Sequence, residues 1–211
     1  MKTMKKLIAL GLAAVTLFAG SLASAKTMEP EETKIERLAG KTVHATVGAY
    51  DEDSRTFTVT IYENDHYDEE EIKSFGAGDT ILAGGELHRV KELYKIDDEV
   101  IYRCDDGEDI YFSESYEEED EIIARSTMDD RIFMRAVAFV KLPAGEGIVY
   151  EDNTDPDLDA KAIIHEGLEN VLKAKDDKET NSIGFDFYST LITLNENLEI
   201  VKIHQDFDVS M

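Results

Sequence analysis

Between Thr42 and Tyr62 the chain alternates. Val43, Ala45, Val47 and Ala49 are apolar, and Thr42, His44 and Thr46 between them are polar. After Asp51-Glu52-Asp53-Ser54-Arg55 the alternation resumes, with Phe57, Val59 and Ile61 on one face and Thr58, Thr60 and Tyr62 on the other. A period of two puts successive side chains on opposite faces of a half-buried strand. The residues are β-branched or aromatic, as a pleated surface favours. The stretch predicts an antiparallel hairpin with one wet face, joined by a longer loop because no Asn-Gly or Asp-Gly pair is present. A lone hairpin is marginal in water, so other strands must cover its apolar side.

Further strands follow. Residues 80–83 and 86–93 flank Gly84-Gly85, a pair permissive for hairpin turns. Residues 63–71 predict a loop or a frayed turn of helix. Residues 100–104 and 110–112 predict short strands, 117–121 an acidic loop, and 122–125 a short edge strand. Within residues 132–142, Met134, Ala136, Ala138 and Val140 share one face and Phe133, Val137 and Phe139 the other, interrupted by Arg135. That pattern predicts a central strand buried on both faces, ended by Pro143 and Gly145, with another beginning at Gly147. Residues 155–174 predict the one major helix. Asp155 is placed as N-cap and Pro156 as first helical residue, and Leu158, Ile164, Leu168, Val171 and Leu172 form the apolar stripe. Residues 183–194 and 198–207 then pair as a last hairpin. The fold class is mainly β, with α+β as the alternative. It is an antiparallel sheet or barrel-like meander of hairpins, with one major helix before a C-terminal hairpin. This order resembles that of lipocalin-like barrels, in architecture alone. Residues 41–211 form a single domain, or two packed lobes divided near Asp152.

The ends change the picture. Residues 1–25 carry Lys2, Lys5 and Lys6, then an apolar run, then Ala23-Ser24-Ala25. This is the layout of a secretory signal peptide, with an uncleaved anchor as the alternative. No Cys stands at the cleavage point, so a lipoprotein anchor is excluded. Residues 26–40 predict a polar leader or a short helix. The chain's formal charge is −25, and losing the three signal lysines leaves −28 on 186 residues. Such a charge excludes nucleic acid as a partner and argues against anionic membrane. It favours a cationic protein, peptide or small ligand. Export is therefore the expected localisation.

Candidate chemistry is sparse. The single Cys104 precedes Asp105-Asp106-Gly107-Glu108, acids that raise a thiol pKa, so it reads as a structural thiol. Asp155, Asp157 and Asp159 with Glu166 match calcium-loop positions one, three, five and twelve, but Ala160 replaces the glycine at position six. Asp152 adds an oxygen to a looser site. The cofactor expectation is thus none, or weak calcium. The five His show no ligand spacing. His66-Tyr67-Asp68 and His204-Gln205-Asp206 each pair one nitrogen with one carboxylate, too few donors for zinc. No Gly-x-Ser-x-Gly is present. Asp129 with Asp130, Asp186, and Asp206 with Asp208 are the carboxylates that a hydrolase would draw on. Tyr62, Tyr67, Tyr102 and Tyr111 are the candidate ligand-binding residues, with amphipathic packing as the alternative. The function expected is an exported, non-catalytic binding module. The alternative is a secreted carboxylate-dependent hydrolase, perhaps calcium-assisted.

Overall fold

The computed structural model describes residues 35–97, 99–115, 121–155, 161–177 and 184–206. The expected signal segment and most of the leader lie outside them. Of the leader, Ile35–Leu38 forms a 3-10 turn that buries Leu38.

The alternating stretch forms β1 (Thr42–Asp51) and β2 (Thr56–Asn64), joined through a turn in which Asp51 accepts the amides of Asp53 and Ser54. Phe57, Val59 and Ile61 are fully buried, as their period requires. A bulge between Val47 and Tyr50 shifts the phase of β1. Ala49 therefore faces solvent, and Tyr50 packs its ring 4.8 Å from Phe57 instead.

Next come β3 (His66–Tyr67), α1 (Glu69–Ser74), β4 (Thr80–Ala83), β5 (Glu86–Ile96), β6 (Glu99–Cys104), β7 (Asp109–Glu114) and β8 (Ile122–Ser126). Asp68 caps α1 by accepting the Glu71 amide at 2.7 Å. These strands form one antiparallel sheet in the order β3-β8-β7-β6-β5-β4. Its core joins Ile81, Val90, Tyr102, Cys104, Ile110 and Phe133. The expected edge strand, β8, lies one position in, because the two-residue β3 covers it.

The chain then returns in β9 (Met134–Asn153), followed by β10 (Ile163–Glu166), α2 (Leu168–Asp176), β11 (Thr190–Leu194) and β12 (Ile200–Asp206). β9 first pairs antiparallel with β2, then parallel with β12. Together with the pairings of β12 with β11 and β11 with β1, this closes a ring β1-β2-β9-β12-β11. Five strands closed in a Greek key is the OB-type layout, a layout that hosts unrelated functions and fixes none. Its core centres on Phe57, Val59, Ile61, Ile192, Ile200 and Ile203. Val171 of α2 joins that core, fully buried.

Six expectations are corrected. The molecule is not one lipocalin-like barrel: two separate cores exist, and the second belongs to residues inserted between β2 and β9. Asp152 lies inside β9, paired with Ile163, and the chain changes cores instead at Asp65 and again at Phe133. Pro143 does not end a strand. It stands where β9 leaves β2 for β12, a changeover that tolerates a residue without an N–H. The first half of β9 is not buried on both faces: Phe139 is 60% exposed, and Ala136 is exposed too. Among the described residues the major helix is α2. Its N-cap is Gly167 at φ 96°, since Ile163 and Ile164 are drawn into β10 by the open edge of β9. Likewise β11 starts only at Thr190, and Phe185 bridges to Val47 ahead of a turn.

Candidate functional site at the lobe junction

Where the chain crosses between the cores it also builds a cleft. On the barrel side, residues 187–189 form a turn ahead of β11. Asp186 shapes it by accepting the Tyr188 amide at 3.2 Å, and its carbonyl accepts the Ser189 amide at 3.2 Å. The Phe187 carbonyl accepts from His44 Nδ1 at 3.1 Å. These bonds hold the Phe187 ring against Tyr62 of β2, stacked at 4.0 Å and 14°. Tyr188 follows at 3.9 Å from Phe187 and ends the ladder, 45% exposed as a residue. Partial burial pushes the Tyr188 phenol pKa up, and neighbouring Arg131 pulls it back.

On the inserted side the wall is the β4–β5 turn, the start of β5 and the connector into β9. Gly84 and Gly85 take φ 61° and 81°, the left-handed pair such a two-residue turn needs. His88 is 4% exposed. Its Nδ1 lies 2.7 Å from the Asp106 carboxylate and its Nε2 lies 3.2 Å from the Ala83 carbonyl, and both partners are acceptors. Phe133 meets the His88 ring edge-on at 5.4 Å. The Arg131 guanidinium lies 5.6 Å over Phe133 and donates to Glu108 at 2.6 Å. Between the walls is a space of about 250 Å³, lined also by Glu86 and Met134.

A buried latch stands at the same crossing. Asp65 is 8% exposed and faces the Arg135 guanidinium at 2.9 Å. Burial raises its pKa, opposed by Arg135 and by the Gly84 and Gly85 amides. One carboxylate thus ties the barrel to the turn that forms the cleft wall.

Of the tyrosines singled out in the sequence, Tyr62 backs this cleft through Phe187. The others belong to the inserted lobe. Tyr102 is 3% exposed and donates to the Ile72 carbonyl at 2.9 Å. Tyr67 packs edge-on against Phe112 and donates to the Leu82 carbonyl. Tyr111 donates to the Asp130 carboxylate, and burial first, then that carboxylate, pushes its pKa up to about 12. The four do not share one face.

Of the candidate calcium oxygens, those of Asp152 and Glu166 stand apart. Asp152 accepts the Thr154 amide and hydroxyl, and Asp155 lies on the surface. Glu166 stands on β10 three residues beyond the partner of Asp152, roughly 10 Å along the strand. Asp157 and Asp159 lie outside the described residues. Among the described residues no three His, Cys, Asp or Glu are grouped to hold a metal ion.

The remaining candidates are engaged in structure. His204 sits between Glu151 and Asp206 at 3.2 and 3.0 Å, and His66 pairs with Glu121 at 2.7 Å. Cys104 is 2% exposed. Burial first, then Asp106, Asp109, Glu108 and Asp105, push its pKa up to about 11. Asp130 pairs with Arg125, Asp129 with Arg131, and Asp206 with Asn153. Asp208 lies outside the described residues.

Phe187, Tyr188, Arg131, Phe133 and His88 went unread as a site. They come from three separated segments, and only Asp186, a turn-forming residue beside two aromatics, signals any of it. Fold and cleft together define a closed β-barrel protein with an inserted β lobe and an aromatic-walled junction. No family model, curated protein or solved structure matches the chain. Among the described residues no helix is long and apolar enough to cross a membrane.

Proposed function

We propose that this protein is an exported, non-catalytic binding module, and that the junction cleft receives a small ligand or one anchoring group of a partner. The observation that carries this reading is the ring ladder Tyr62–Phe187–Tyr188, which ends half-exposed across a cleft from Phe133 and Arg131. Aromatic walls with a few polar groups are the usual composition of a binding site. The partners of Asp129, Asp130, Asp186 and Asp206 and the burial of Cys104 support binding over catalysis, because a reacting group must be accessible and poised.

The test adds a panel of sugars, amino acids and short peptides to the labelled full chain and follows amide resonances. Shifts gathered at Gly84, Glu86, Phe133 and Tyr188, with no turnover of glycoside, ester or peptide substrates, are expected. Turnover that disappears in Asp129→Asn or Asp130→Asn would replace the module with the hydrolase.

A further inference from the structure

Resting on the reading of the cleft as a binding site, we infer that its ligand is a basic side chain, a lysine or arginine presented by a partner polypeptide. Three observations converge on a cation with a flexible stem.

The first is the pairing of rings. Tyr188, 45% exposed, and Phe133, buried at 9% beneath the Arg131 guanidinium, belong to opposite walls, so Tyr188 is the ring left open to a ligand. An aromatic face carries negative charge density and attracts a cation within about 6 Å of its centre. The protein already uses this chemistry on itself. Arg131 lies 5.6 Å over Phe133 with Glu108 at 2.6 Å, and Arg103 lies 4.8 Å over Tyr94 with Asp109 at 3.1 Å.

The second is charge. The guanidinium of Arg131 is answered by Glu108 and, at 3.7 Å, by Asp129. His88 is answered by Asp106. Glu86, at the rim, has no ion pair among the described residues. Glu86 thus lines the cleft as a carboxylate, and Glu108, Asp129 and Asp106 stand behind Arg131 and His88. The whole chain repeats that sign at −25. Such a field draws a basic partner in and repels an acidic one.

The third is size. A space of about 250 Å³ falls below the range of roughly 300–1,000 Å³ typical of ligand pockets. It suits one side chain rather than a folded segment or a long oligomer. The rest of a basic partner would lie along the acidic surface outside.

The experiment titrates the full chain with capped Gly-Lys-Gly and Gly-Arg-Gly, the ε-acetylated lysine peptide, and glucose as a neutral ring. Amide shifts are read at low and at raised sodium chloride. The two cationic peptides are expected to move Gly84, Glu86, Phe133 and Tyr188, with affinity falling as salt rises. Acetylation should abolish most of the binding. Tyr188→Ala and Glu86→Gln should each weaken it roughly three- to tenfold, the range of one cation–π or ionic contact, with unchanged melting. Acetyl-lysine or glucose binding the same amides as tightly as the cations would overturn the inference and leave the cleft as a site. Salt-sensitive shifts confined to surfaces outside the cleft would also overturn it, reducing the effect to general charge attraction. Silence at these amides with every probe, those of the broader panel included, would remove the site itself.

Discussion

At the scale of residues, ionisable groups are set by what the fold places beside them. Burial with four acids behind it keeps Cys104 protonated, its pKa up at about 11. Native protein is therefore expected to resist thiol reagents at neutral pH and to react fully once unfolded, as a coloured disulfide reagent would show. Stoichiometric labelling of folded protein would contradict this.

Glu151 shows the opposite shift. Lys202, at 2.8 Å, and then His204 hold its carboxyl below the ordinary 4.5. The unfolded chain lacks those partners and takes up the proton first. This residue's contribution is present above the ordinary value and lost as pH falls through the folded one. Glu151→Gln should therefore lose melting temperature less steeply than wild type below about pH 5; equal slopes would dismiss the pair. Asp65 has the reverse sign, because burial raises it. Its contribution is fullest below 3.8 and is lost as pH rises through its folded value. The acids around Cys104 were legible in the sequence. The partners of Asp65 and Glu151 were not, since Arg135 and Lys202 are 70 and 51 positions away.

At the scale of elements, β2 is the middle of the barrel. It pairs with β1 on one side and with β9 on the other, and Phe57, Val59 and Ile61 are fully buried. Hydrogen exchange is expected to be slowest there, because such amides open only with global unfolding. The first half of β9, with Val137 half-buried and Phe139 exposed, should exchange faster. Slower exchange at Val137 than at Val59 would reverse this order. Val59→Asp should prevent folding, an unpaired core charge costing several kcal/mol; circular dichroism of the soluble fraction decides it. The alternation of β2 was readable because one face is wet. Residues 132–142 misled because Phe139 is apolar on a wet face, whose nearest polar mark in sequence is Lys141, two positions on. Residues 163 and 164 misled because helix and strand patterns coincide over two isoleucines, and the free edge of β9 chose between them.

At the scale of the whole molecule, charge dominates. A net −25 opposes compaction through self-repulsion, and counterions relieve it. Sodium chloride and magnesium at equal ionic strength should raise the melting temperature about as much as calcium does. Asp155→Asn with Asp157→Asn should leave that response unchanged. Saturable, calcium-selective stabilisation lost in the double variant would establish a specific site and favour a calcium-dependent function.

Sequence alone determined the mainly β class, the first hairpin, the Gly84-Gly85 turn, the buried structural thiol and the sign of the electrostatic field. Each follows from local periodicity, turn chemistry or composition, which need no knowledge of distant residues. Tertiary structure alone decided that β9 serves both halves of a closed barrel, that residues 66–133 form a second core, and that a cleft lies between them. Ring closure joins β1 to β11 across more than a hundred residues. The cleft gathers His88, Phe133 and Tyr188 from segments that no period or spacing relates.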